Sequence, residues 1–354
     1  MTRGSRPSRL QRVAPDNPTR VLGGALRRLL SRRLQRISCY CLCALGLIAL
    51  AADMVASDRP VLLWFHGELY VMPNLTRPAA LRVFTNESLV VAMDERDWAV
   101  FPPLPYGPNQ HDLAAVLQAP SVTHPCGTDV LGRDVLARIV HGTRVSLGIG
   151  LLSVVVALSV GFVVGGLAGY YGGVLDAALM RVLEVVHALP LMLVVVTLLA
   201  IWSPEGRSAF LSLTLVIGLS AWTGAARLLR VEVLRVCAQD YVMAARALGC
   251  SSLRIFLRHI LPNAVTPLLV TATFALPGAI LLESTLSFLG FGVPPDMPSW
   301  GALIEDGRRH PSAWWLVLLP GLTVFFTVVA CNYLGQGLRD VLDPHGRNGL
   351  SDRA

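Results

Sequence analysis

The chain contains no lysine, so all thirty of its basic residues are arginine. A phosphate-cradling loop of the form GxxxxGK[ST] needs a lysine to reach the phosphates, so this chain has none, and any ATP-driven work must be powered by another subunit. Charge is also scarce: 15% of the 354 residues are charged and 53% are hydrophobic, which excludes an ordinary soluble domain. No HExxH, nucleophile elbow or paired metal-ligand pattern occurs. No catalytic residue, cofactor site or metal site is therefore expected. Seven cysteines make no even framework. Cys39, Cys41 and Cys43 stand two apart, and on a helix residues two apart diverge by about 200°, so they read as small packing residues and not as ligands.

What is present is a set of long charge-free intervals: Val145 to Leu175, Val185 to Pro204, Ser208 to Ala226, His259 to Leu282 and Pro311 to Leu338. Each is near or above the roughly 20 residues that cross a bilayer. A shorter interval, Ile37 to Ala52, can draw on Leu34 while flanking arginines snorkel. Six spans, and hence an all-α polytopic membrane protein, are expected. Prolines 190, 262, 267, 277 and 320 do not oppose this, because neighbouring helices can satisfy freed carbonyls in a membrane. No acid or histidine lies deep in these intervals, which disfavours a proton-coupled carrier. His187 reads as an anchoring residue, and Glu283 and Glu305 as outer-side acids satisfied by solvent or a partner. Asp176, Arg181 and Glu184 read as a solvated face with one i,i+3 pair.

Ten arginines precede Ile37 against one acid, Asp16. By the positive-inside rule this places the N-terminus in the cytoplasm, and six crossings return the C-terminus there. The tail is read as a topogenic segment beside the lipid bilayer, with no nucleic-acid partner. The expected organisation is an arginine-rich cytoplasmic tail over 1–36, a first span over 37–56, an external insertion with an interfacial helix over 57–140, a five-helix core over 141–338 and a cytoplasmic tail over 339–354. Within the core, a loop over 227–262 faces the cytoplasm.

Two segments carry the functional reading. Gly127, Thr128, Asp129, Gly132, Arg133 and Asp134 form GTDVLGRD, a glycine-shaped turn expected to lead into an interfacial helix from Val130 to Val140. The second is DYVMAARALGCSSLRIFLRHILPN, from Asp240 to Asn263. Asp240 is expected to cap one short helix, Gly249 to end it in a left-handed conformation, and Ser251 or Ser252 to start a second helix that runs until Pro262 disturbs the ladder.

AARALG followed by RIFLRHILPN resembles the cytoplasmic coupling loop of bacterial ABC importer permeases, in the dipeptide and oligopeptide branch. HPCGTDVLGRDVLARIVHGTRVSL, AGYYGG and ILLESTLSFLGFGVPPDMPSWGALIEDGR are similar to that branch in the same order, over roughly residues 120 to 345. The resemblance implies the type I importer permease fold. Its implied partners are a second homologous permease, two separate ABC ATPase subunits and a periplasmic solute-binding protein. The loop residues Asp240, Tyr241, Met243, Ala244, Ala245, Gly249, Arg254, Ile255 and Pro262 would dock on an ATPase, and GTDVLGRD would shape the periplasmic mouth. Where the family often has glutamate this chain has Met243, so docking is expected to be apolar, through Tyr241, Met243, Leu248 and Ile255. DRPVLLWFHGELYVMP and RDWAVFPPLPY resemble the inserted region of Yej-type permeases, which take up peptides and microcin C. A strand-containing insertion contacting the binding protein is expected. Peptides are the favoured cargo; nickel or another solute of the same branch, and an ATP-independent carrier, are the alternatives.

Overall fold

Glycine recurs every fourth residue at 161, 165 and 169, and this spacing puts three residues without side chains on one face of a helix. In the computed structural model that face meets another helix backbone to backbone. A Cβ on Gly161 would stand 2.6 Å from the Cβ of Ala225, and one on Gly169 would stand 2.8 Å from the carbonyl of Arg230. Small residues permit this close approach, which is the main source of helix attraction where lipid supplies no hydrophobic drive. The structure describes residues 32–81, 86–94, 96–202 and 207–342. Most of the two expected tails lies outside these.

The two partners are α3 (Val135–Tyr171) and α6 (Arg207–Cys237), and they run parallel. The chain enters them through α1 (Arg33–Leu50), which packs against α3. Between α1 and α3 come a hairpin of β1 (Leu62–Phe65) and β2 (Glu68–Val71), a short α2 (Asn86–Ala92) and β3 (Trp98–Val100). The three strands form an antiparallel sheet in the order β2-β1-β3. The expected strand-containing insertion is present.

Joining α3 to α6 are α4 (Gly173–Ala188) and α5 (Leu191–Trp202), bent by 84°. The interval Val185 to Pro204 is therefore not one straight helix. Pro190 forces Leu189 out of the helical region, to ψ 131°, and so breaks it. After α6 come α7 (Asp240–Ala247) and α8 (Ser252–Ile255). A π-helical turn at Phe256–Ile260 then leads into α9 (Leu261–Phe288), followed by α10 (Trp300–Arg309) and α11 (Trp315–Leu342). Among the described residues five helices are long and apolar enough to cross a bilayer, or six if the bent pair counts as one span.

The Val130 to Val140 helix does not exist as a separate element. Residues 130–134 form a turn, Asp134 caps α3 by accepting from the Ala137 N–H, and the helix runs without a break for 37 residues. At about 1.5 Å per residue that is roughly 55 Å, well beyond a hydrocarbon core of about 30 Å. The core lies where α3, α5, α6 and α9 meet, at Ile149, Val154, Val195, Leu199, Leu213, Ile217 and Leu286. Replacing Gly165, whose missing Cβ would press on the Ala226 backbone, by leucine is expected to lower stability by about 1–3 kcal/mol or more. Gly46→Leu, which meets nothing on α1, should be neutral. Thermal unfolding of the two variants in detergent compares them.

Candidate functional site

The loop between α6 and α9 is built as expected around a glycine, but its caps differ. Gln239, not Asp240, is the residue before α7, and neither it nor Ser251 before α8 makes a side-chain cap bond. The stop signal is supplied by backbone. The Cys250 N–H donates to the Ala245 carbonyl and the Gly249 N–H to the Arg246 carbonyl, with Gly249 at φ +76°. This is the Schellman arrangement, which glycine enters without a Cβ penalty. Pro262 does not end the second helix. It sits in the first turn of α9, and the preceding turn widens to π, with the Leu261 N–H reaching the Phe256 carbonyl.

Two faces result. Val242, Ala245, Ile255 and Ile260 point inward onto Leu229, Val233 and Val236 of α6. Tyr170, at the end of α3, donates its hydroxyl to the Ser252 carbonyl at 2.9 Å and lies against Phe256. Asn263 donates to the Tyr241 hydroxyl at 3.2 Å and holds α7 against the start of α9. The outward face is apolar: Tyr241, Met243, Leu248, Leu253 and Leu257 are exposed, Leu248 by 84% and Leu253 by 68%. Asp240, Ala244, Arg246, Arg254 and Pro262 are exposed beside them. Ile255, expected to dock outward, is 2% exposed and belongs to the inner face. Leu253 and Leu257 take its place, because Ile255 lies on the stripe with Ile260 that meets α6.

GTDVLGRD gathers at the opposite end of α3. The Thr128 hydroxyl donates to the Ala115 carbonyl, and the Trp315 indole donates to the Thr128 carbonyl at 3.0 Å. Asp129 is fully buried. It accepts from the Leu131 and Arg133 N–H groups and from Arg133 Nε at 2.6 Å, while Arg138 Nε stands 3.5 Å away. Arg133 also donates to the Pro295 carbonyl at 3.0 Å, which ties the turn to the loop before α10. His124 pairs with Asp134 at 2.9 Å. Gly127 and Gly132 hold φ +75° and +71°, and a Cβ on Gly132 would fall inside the Asp112 backbone. Every carboxylate is engaged in holding the turn, so the motif is a buried ionic knot without a free acid–base pair. Asp306 of α10 borders it; burial raises its carboxyl above the ordinary range, and the Arg138 guanidinium opposes that rise.

Three pairings were missed in the sequence. Glu283 is completely buried and accepts from Ser287 at 2.9 Å and Ser146 at 3.3 Å, so serines of this chain satisfy it, and not solvent. The run Glu283-Ser284-x-x-Ser287 was the available signal. Asp176 is bound in a two-pronged pair by Arg230 of α6, so of the expected solvated trio only Arg181 and Glu184 are solvated. Arg144 donates to the Ala49 and Leu50 carbonyls at the end of α1. His66, Asp94 and Asp97 also bring possible ligand atoms within 4.8 Å at the exposed edge of the insertion. Both Asp97 oxygens there already accept backbone N–H groups. A cavity of about 520 Å³ between α3, α5, α6 and α9 is lined by small and aliphatic residues, among them Ala157, Ala221, Ala225, Ala275 and Gly278.

Long apolar helices around a small-residue cavity, with an exposed loop bolted to two of them, define a polytopic membrane transport subunit. Residues 161–348 match the family described as binding-protein-dependent transport system inner membrane component, and the chain belongs to that family. It is 39% identical over 259 residues to the di/tripeptide transport system permease protein DppC of Pseudomonas aeruginosa (strain UCBPP-PA14), covering 71% of this chain and 84% of that one. It is 38% identical over 227 residues to the dipeptide transport system permease protein DppC of Bacillus subtilis (strain 168), covering 64% and 70%. Among solved structures, the inward-facing MetNI methionine ABC transporter matches 58% of this chain and 97% of its own at a TM-score of 0.49 and 16% identity.

Removing Asp129 strands two buried guanidinia. Asp129→Ala should destabilise the chain by about 3–5 kcal/mol. Glu184→Ala, which breaks an exposed pair, should cost about 0–1 kcal/mol. Unfolding midpoints in detergent test the contrast.

Proposed function

We propose that this chain is the permease subunit of an ATP-driven importer for peptides or peptide-like solutes, working as a heterodimer with a second homologous permease over two ABC ATPase subunits. The observation that carries this reading is the loop 240–263. One face is fixed to α6 and α3 by Val242, Ala245, Ile255 and Tyr170, and the other exposes Tyr241, Met243, Leu248, Leu253 and Leu257. A contiguous exposed apolar surface of that kind marks a protein contact. An ATPase groove that moved as nucleotide binds would drag the loop, and through it α3 and α6, between inward-open and outward-open states. The cargo class rests on the peptide permeases named above. The cavity lined by Ala157, Ala221 and Gly278 suits a wide, weakly selective path, with selection left to a solute-binding protein.

In this reading the loop 227–262 and both termini face the cytoplasm, in keeping with the arginine bias around the first span. The knot Gly127–Asp134 then sits at the external mouth, and the insertion over 57–140 meets the substrate-delivering protein. The chain itself has no ATPase site and is not an enzyme.

ATP-dependent uptake of labelled short peptides into vesicles holding the chain with its neighbouring permease and ATPases tests the reading. Leu248→Asp with Leu253→Asp, and separately Gly249→Pro, should reduce uptake to the level seen without ATP while the subunits still insert. Proline cannot adopt the φ of +76° that Gly249 holds. Unchanged uptake in both variants, or uptake indifferent to ATP, would sink the proposal.

A further inference from the structure

The inserted sheet carries apolar side chains on both faces, and its one acid, Glu68, stands opposite Phe65. Strand register places Leu63, Phe65, Tyr70 and Ala99 on one side, where Leu81, Leu89 and Met93 cover them. On the other side Trp64 stands opposite Leu69 and Trp98, and Leu62 stands opposite Val71 and Val100. Leu69, Val71, Trp98 and Val100 are 46–57% exposed. An antiparallel sheet with one free face ordinarily alternates apolar with polar. Here six apolar side chains form two rows, and none of the positions on that face is ionisable.

We infer that this uncovered face rests on the outer leaflet of the lipid bilayer. The inference relies on α1 crossing the membrane as proposed above. Three observations favour lipid as the occupant. Two tryptophans among aliphatic neighbours are the composition of the membrane interface, where an amphipathic indole is most at home. The sheet is also on a short tether. Ala56 closes the helical turn that follows α1, and Leu62 is six residues on, so the first strand begins within about 20 Å of that turn. That tether is clamped, because the Leu104 N–H donates to the Val55 carbonyl, the Ser57 N–H to the Leu104 carbonyl and the Val61 N–H to the Val100 carbonyl. Finally, exposed apolar surface reaches the end of α1, just before this tether: Leu47 and Leu50 lie uncovered on its last turn. The covered side of the sheet, with α2, is thereby turned away from the membrane toward arriving protein.

The test uses the full chain, with its partner subunits, carrying 5-fluorotryptophan in nanodiscs of phosphatidylglycerol and phosphatidylethanolamine. Trp64→Phe and Trp98→Phe assign the two fluorine signals. A lipid spin-labelled near its headgroup should abolish most of the Trp64 and Trp98 intensity, whereas a water-soluble gadolinium chelate should leave them. Trp202, exposed at the end of α5, and Trp314, exposed in the turn just before α11, report lipid contact at the ends of the spans, and the fully buried Trp300 is the unaffected reference. If Trp202 or Trp314 responds to lipid while Trp64 and Trp98 respond only to gadolinium, the face lies in water and the inference fails. Protection that arises only on adding a solute-binding protein assigns the face to a protein and overturns it too. If none of the four responds to lipid, the membrane-spanning reading itself fails.

Discussion

The backbone contact between α3 and α6 sets the rest of the architecture. Its glycines let two long helices touch along several turns, and the helices run parallel, so the chain must return between them. That return is the bent pair α4 and α5. The α6 end of the contact is reinforced by Arg230 gripping Asp176 at the start of α4, so the returning segment is tied where it leaves the pair. Lipid offers no hydrophobic reward for this association, which explains why the contact depends on glycine and alanine and not on bulk.

The same pair joins the two candidate sites. The first turn of α3 is held by Asp134 and by the Asp129, Arg133 and Arg138 knot; its last turn presents Tyr170 to Ser252 and Phe256 of the loop. The loop is therefore joined to a continuous 37-residue rod whose far end is fixed by buried charge. Glu283 adds a crosspiece, binding α9 to α3 through Ser146, while the Ser146 hydroxyl also accepts from the Trp300 N–H of α10. Packed elements of this kind move as bodies and do not bend continuously, which is what a coupled two-state change needs.

Much of this was legible from residue order alone. Charge-free intervals located the spans, because a hydrocarbon interior excludes charge irrespective of packing, and Gly249 located the turn, because its conformation is a local property. Most departures came where tertiary contact decides, although the break of the Val185 to Pro204 interval at Pro190 is a local effect. Ile255 and Leu253 have the same local chemistry, and only the position of α6 turns one inward and the other out. Asp176 is 54 residues from Arg230, a pairing that no local periodicity reveals. The Val130 to Val140 segment read as interfacial because it carries Arg133, Asp134 and Arg138. These charges are buried against one another, so the helix can begin at Val135 without a solvated face.

The π turn at Phe256–Ile260 has a physical cause and a consequence. Pro262 has no N–H, and in a regular helix its ring would clash with the carbonyl four residues back, at Arg258. Widening the preceding turn allows the chain to pass from α8 into α9 without a break, and it leaves Leu257 facing outward while Ile260 stays buried. A π turn is a less favourable backbone than an α-helix, and such turns concentrate at functional positions. Here it is the joint between the loop and a long helix that itself lines the cavity. The loop is thus joined to α9 through this π turn, and to α6 and α3 through the buried packing of Val242 and Ile255 and the Tyr170 bond.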